Sequence, residues 1–189
     1  MAERDSTILS CSGLILLRSP AISDAKSLYK HANNRDVWIN LRDRMPYPYS
    51  LEDAVRWLKY VQDQQPRVSF VIDLNGEAIG GIGLILGSDI ERCSAEVGYW
   101  LGADHWGRGI ATTALQRVCR YAFEDLGLLR VFATPIAWNP ASFRVLEKAG
   151  FEREGTMRNA CIKDGKVMDM ALYGKVVEEV EFERQSESV

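Results

Sequence analysis

The chain has 189 residues, 47% hydrophobic and 26% charged, with a formal net charge of −3. That composition describes one globular domain able to bury its own core and excludes disordered and fibrous classes. The acidic total gives no support for a basic nucleic-acid face, though a local patch could exist, no run reaches the ~18 apolar residues of a membrane span, and the polar start "MAERDSTILSCSG" lacks a signal peptide's apolar core.

In chain order, "LILLRS" (14–19) reads as a first strand and 24–33 as a helix, with Ser23 or Asp24 as its N-cap. A loop rich in proline and aromatics, "MPYPYS", precedes a second helix running to Gln64. Ser50 and Asp53 form its capping box, and Val55, Leu58 and Val61 its apolar stripe. Residues 67–86 form a hairpin about Asn75-Gly76, and 93–101 alternate as a strand. A third helix spans about 109–126 before Gly127, followed by a strand over 129–137. "NPASFRVLEKAGF" is a fourth helix, with Asn139 at N-cap, Pro140 at N1 and Gly150 at C′. Strands near 152–162 and 167–177 meet at the turn "KDGK". Residues 1–12 are expected to be a flexible N-terminus, 13–177 one domain and 178–189 an acidic C-terminal tail. The order β-α-α-β-β-β-α-β-α-β-β is mixed α/β, and no repeat or linker interrupts it. Cys11, Cys93, Cys119 and Cys161 stand far apart with only two histidines in the chain, so no metal site is expected and the thiols read as reduced in a cytoplasmic setting.

The stretch "GADHWGRGIATTA" places Gly107 and Gly109 between strand and helix, where glycine is used for a tight turn or a close backbone approach. A Walker A loop would need Lys-Ser/Thr where Arg108 and Gly109 stand, so the hydroxyl that holds Mg²⁺ is missing. A dinucleotide fingerprint would need a third glycine where Thr112 stands. A third reading needs neither: consecutive backbone N–H groups running into a helix N-terminus bind a pyrophosphate directly, with Arg108 adding charge.

"HWGRGIATTAL" resembles the acyl-CoA-binding loop of the GCN5-related N-acetyltransferases (GNAT), [QR]-x-x-G-x-[GA]. Gly109 and Ala111 hold the last two positions and Trp106 the Gln/Arg position, as is common in the branch resembling ribosomal-protein N-terminal acetyltransferases. "AEVGYWL" and "NPASFRVLEKAGFEREG" resemble that branch's preceding strand and later helix, so the likeness covers roughly 13–177. It implies a twisted mixed sheet of about seven strands, splayed in the middle, with about four helices. It also implies acetyl-CoA as co-substrate and no metal. Backbone from Trp106, Gly107, Arg108, Gly109, Ile110, Ala111 and Thr112 would meet the pyrophosphate. Strand residues Val97, Gly98, Tyr99, Trp100 and Leu101 would hold the pantetheine like an added strand, and Asn139 and Ser142 would lie near its thioester end.

The implied reaction is direct acetyl transfer from thioester to primary amine. Glu96 is the expected proton acceptor, ahead of His105, and Ser142 the stand-in for a tyrosine acid that relatives carry on this helix and residues 139–149 lack. Trp106 is expected to pack rather than bind. The acceptor would lie between residues 33–50 and the last hairpin, where Trp38, Tyr47, Tyr49 and Asp43 could receive a cationic amine, with Arg158 and Asp169 opposite. A protein or peptide N-terminal α-amine is the first expectation. A small amine (polyamine, amino sugar or amino acid) and a non-catalytic acyl-CoA-binding module are the alternatives. No nucleic-acid or membrane partner is expected, and the protein would act as monomer or homodimer.

Overall fold

The structure, a computed structural model, describes residues 8–11 and 15–177. Leu9 and Leu17 are 5% and 0% exposed, and around them the chain opens with two paired strands, β1 (Ile8–Ser10) and β2 (Ile15–Arg18). β1 falls inside the stretch expected to be flexible, because burying Leu9 supplies the packing that a polar arm lacks. The acidic tail, 178–189, lies outside the described residues.

The first helix, α1 (Ala25–Ala32), follows a short 3₁₀ turn, and Asp24 does not cap it with its side chain. That carboxylate accepts instead from Arg18 Nη1 and Nη2, both at 2.8 Å, while Asp73 accepts from Arg18 Nε at 2.7 Å. Two nearly buried acids thus share one guanidinium, a demand that outweighs local capping because a buried carboxylate needs its charge compensated. A short α2 (Arg35–Trp38), absent from the sequence reading, is capped by Asn34, whose Oδ1 accepts from Asp36 N. In α3 (Leu51–Gln62) the expected capping box forms: Ser50 Oγ accepts from Asp53 N at 3.1 Å and Asp53 Oδ2 from Ser50 N at 3.0 Å. Ala54, Leu58 and Val61 form its buried stripe, and Val55 lies only partly covered beside them.

Asn75 and Gly76, at φ of 55° and 85°, make the turn between β3 (Ser69–Leu74) and β4 (Glu77–Leu86). Then come β5 (Ser94–Leu101), α4 (Ile110–Glu124), β6 (Arg130–Ala133), α5 (Pro140–Lys148), β7 (Glu152–Lys163) and β8 (Lys166–Val176). Eight strands form one sheet in the order β1-β2-β3-β4-β5-β6-β8-β7, antiparallel except where β5 meets β6. One face carries α4 and α5 over the larger core, with Ala114, Leu115, Val118, Ala122 and Leu146 all 0% exposed. The opposite face carries α1 and α3 over a second cluster that includes Leu28, Leu58 and Val71. Each fully buried Leu or Val contributes roughly 1.5–3 kcal/mol, so the sheet is clamped from both sides. No helix among the described residues is long and apolar enough to cross a membrane.

Candidate active site

The site is built from backbone at one end and side chains at the other. Gly107 and Gly109 enter α4 at φ of 73° and 77°, and a Cβ on either would meet nothing within 4 Å. Space is therefore open on both, and the left-handed backbone accounts for glycine at each position. Gly109 is the N-cap of α4 and supplies no side-chain acceptor, whereas Asn34, Ser50 and Asn139 cap α2, α3 and α5. The first-turn N–H groups of α4 are thus left without a side-chain acceptor at the positive end of a 15-residue helix; those of α1 lack one too, but α1 continues directly from a 3₁₀ turn. Ile110 is 3% exposed, so it offers this entrance only backbone, while Ala111 and Thr112 are half-buried on the first turn.

Trp106 neither packs away nor points free. Its Nε1–H donates to Leu101 O at 2.8 Å while the residue remains 47% exposed, so it ties the loop to the end of β5. Arg108 is exposed and its Nη1 stands 3.4 Å from His105 Nδ1. Burial first, then the neighbouring His31 and Arg108, push the His105 pKa down. His105 packs edge-on to His31, ring centroids 5.1 Å apart, which keeps it at the loop and away from the parted strands.

β5 and β6 pair only at Ser94↔Arg130, Ala95↔Val131 and Glu96↔Phe132. Beyond Ala133 the chain leaves the strand expected to reach 137 and leans onto β8. Pro135 O accepts from Ala171 N and Asp169 O from Ala137 N, each at 2.9 Å. Pro135 has no N–H to give a neighbouring strand, which helps to end the β5–β6 ladder there. Val97–Leu101 therefore ladders with β4 alone.

Glu96 is the last paired residue of β5 before the strands part. Its Oε1 accepts from Thr134 Oγ1 at 2.6 Å and from Arg42 Nη2, and the side chain is 18% exposed. Three positions on, and so on the other face of β5, the Tyr99 hydroxyl lies 2.8 Å from Ser142 Oγ on α5. Burial pushes the Tyr99 phenol up to about 12, against the lowering effect of Ser142. Ser142 N also donates to Asn139 Oδ1 at 3.1 Å, so Asn139 serves as the N-cap of α5. Val97 and Leu101 are 3% and 6% exposed, Gly98 is exposed, and Trp100 packs on the opposite cluster, so this strand can meet a ligand chiefly through its backbone.

Sequence reasoning missed Arg42, Thr134 and the hydroxyl role of Tyr99. Arg42 lies 54 residues from Glu96 and Thr134 lies 38, distances over which no local pattern carries a signal. Tyr99 did carry one: a tyrosine on a core-facing strand position needs a partner for its O–H.

On the acceptor side, Trp38 and Tyr47 come together with centroids 5.5 Å apart. Tyr49 does not join them; it is 7% exposed in the α1–α3 core, with its N–H on Asn33 Oδ1 at 3.1 Å. Asp169 is spent on a bulge of β7, accepting from Asn159 N at 2.8 Å, and Arg158 is exposed. Among the described residues no group of three His, Cys, Asp or Glu is poised to hold a metal.

A uncapped helix entrance beside two strands that part in mid-sheet defines an acyl-CoA-type N-acyltransferase fold. Residues 15–152 match the family described as the acetyltransferase (GNAT) domain, and the chain belongs to that family. It is 26% identical to a ribosomal-protein-serine acetyltransferase of Escherichia coli over 86% of this chain and 92% of that one. It is 27% identical to a spermidine N(1)-acetyltransferase of Vibrio cholerae over 82% and 89%. The structure of Mycobacterium smegmatis RimJ in complex with CoA-disulfide superposes with a TM-score of 0.79 at 25% identity, covering 92% of this chain and 87% of that one. Of two Bacillus N-acetyltransferases that are 33% and 37% identical, the match spans only 63% and 56% of their length.

Proposed function

We propose that this chain transfers an acetyl group from acetyl-CoA to a primary amine, and that the amine is a protein or peptide N-terminus. The observation that carries the reading is the parted sheet itself. Its gap has Glu96 on one face, the Tyr99–Ser142 pair on the other, and a bare helix N-terminus at its end.

The residues fit the co-substrate. Backbone N–H groups from Trp106 to Thr112 would receive the pyrophosphate, with Arg108 adding charge. The backbone of Val97–Leu101 would hold the pantetheine as an added strand, and Asn139 and Ser142 would flank its end. Bound there, acetyl-CoA supplies the acetyl group as a thioester. Glu96 accepts a proton from the incoming ammonium, directly or through one water, and Thr134 and Arg42 fix its Oε1 so that the other oxygen is free to do so. Ser142 Oγ, or a water that it holds, would pass the departing thiolate its proton and take one back from solvent. Tyr99 stands behind it and stays protonated at any working pH because its pKa lies near 12.

A small polyamine is the second reading. It is favoured by the Vibrio relative's activity. Incubation with acetyl-CoA and a mixed panel of peptides, proteins and small amines, read by mass shift, separates the two. A 42 Da gain (an acetyl group for a hydrogen) on peptide α-amines is expected. Acetylation of spermidine alone would replace the first reading, and no acetylation of any amine would overturn both.

A further inference from the structure

Lys163 is the one lysine buried to 2% exposure, and its surroundings are those expected around a bound ligand rather than a structural side chain. Its Nζ sits 3.6 Å from the centroid of the Trp38 ring and donates to Asp43 Oδ1 at 2.7 Å, with Tyr47 tilted against the same tryptophan. An ammonium over an indole face with a carboxylate alongside is the arrangement that proteins build to receive organic cations. The Asp43 side chain is 70% exposed, so the cage opens to solvent on that side. Arg42, the residue before Asp43, is one of the two that hold Glu96, so the loop that carries Asp43 also reaches the candidate active site. One residue beyond Lys163, Asp164 accepts from Arg35 Nη2 at 2.8 Å, so the β7–β8 tip is tied to α2 at a second point and Lys163 is held in register.

We propose that Trp38, Tyr47 and Asp43 form an ammonium-binding cage on the acceptor side, and that Lys163 is its built-in occupant. The chain thereby selects against polycationic acceptors. A polyamine arriving there meets a face already occupied and a charge of its own sign. An acceptor with a single ammonium, such as a peptide N-terminus, needs no second cation site and is unaffected. The substrate consequence rests on the acetyltransferase reading, but the cage is testable without acetyl-CoA.

Calorimetric titration of spermidine and of tetramethylammonium into the apo protein tests it. The wild type and Lys163→Arg, which keeps a cation in place, are expected to bind both weakly. Lys163→Ala is expected to bind them about 10-fold more tightly, and the gain is expected to vanish in K163A/D43N and K163A/W38L. No gain in a folded K163A protein, or a gain that survives both double variants, overturns the proposal. Should K163A not fold, NMR of the wild-type lysine side chains decides. Lys163 Hε signals shifted upfield by the Trp38 ring and unmoved by millimolar spermidine are expected; unshifted signals, or displacement by spermidine, overturn it. In steady-state assays K163A is expected to lower the spermidine KM while leaving that of peptides unchanged. Loss of acetyl transfer to every amine would count against the activity, and the titrations would still report on the cage.

Discussion

At the entrance to α4 the protein presents bare backbone, whereas across the parted strands it presents side chains that already hold one another. Gly107 and Gly109 have open space where a side chain would be, and α4 begins without a side-chain cap. On the acceptor side, Glu96 is engaged by Arg42 and Thr134, Lys163 by Asp43 and Trp38, and Asp164 by Arg35. The difference follows from what each end would recognise. A pyrophosphate has the same shape and charge in every turnover, so fixed N–H groups at a helix end suit it without side chains that must be ordered. An acceptor must be chosen among many amines. Choice requires charged groups with specific partners, some of them excluding the wrong ligand.

The largest expected effect breaks the side-chain end. Glu96→Gln and Ser142→Ala are each expected to lower kcat by about 100-fold or more while leaving acetyl-CoA affinity nearly unchanged, since each removes a proton-transfer group and not a phosphate contact. Unchanged kcat in either variant removes that residue from the mechanism.

A smaller effect breaks the backbone end. Gly109→Val is expected to weaken acetyl-CoA binding about 10-fold, roughly 1.4 kcal/mol, because a branched side chain must leave the left-handed backbone at φ 77° that aims the α4 N–H groups. Calorimetry should then show kcat at saturating acetyl-CoA largely retained, and equal losses in kcat and affinity would mean that the two ends are not separable.

The smallest effect concerns the pair on the face of the gap opposite Glu96. Tyr99→Phe keeps the ring and loses one hydrogen bond to Ser142, so kcat should fall by only several-fold, in line with a net bond worth roughly 1 kcal/mol. Its pH signature is more specific. The folded-state pKa near 12 lies above the ordinary value of 10, so the native protein keeps a proton that the unfolded chain releases. That stability is fully present below pH 10 and is lost as pH rises towards 12. Denaturant melts between those limits should show a shallower decline in Y99F than in wild type, and identical slopes would show that the phenol is not held as described.

The fold was largely legible because its punctuation is local. Asn75-Gly76, Ser50 with Asp53, Asn139-Pro140 and Gly150 each act over two to four residues, and each performs the role its type suggests. The misses share a different cause. β1 is a strand because Leu9 finds a core to enter, and Asp24 leaves its helix because Arg18 is near. β6 ends at Ala133 because the chain after it joins β8. The core that Leu9 enters and the β8 partner of the chain after β6 are neighbours that sequence proximity does not supply, and Arg18, six residues before Asp24, is set against it by the turn between β2 and α1.

The sequence by itself determined most of the elements, the glycine-lined entrance to α4 and the strand that carries Glu96, since backbone conformation and hydrophobic period are set within a few residues. Only the tertiary structure decided which side chains meet: Arg42 and Thr134 on Glu96, Tyr99 on Ser142, Lys163 on Trp38. These contacts join residues 38 to 125 positions apart, brought together by the sheet order, and a charged or hydroxyl group takes whichever partner that order places within reach.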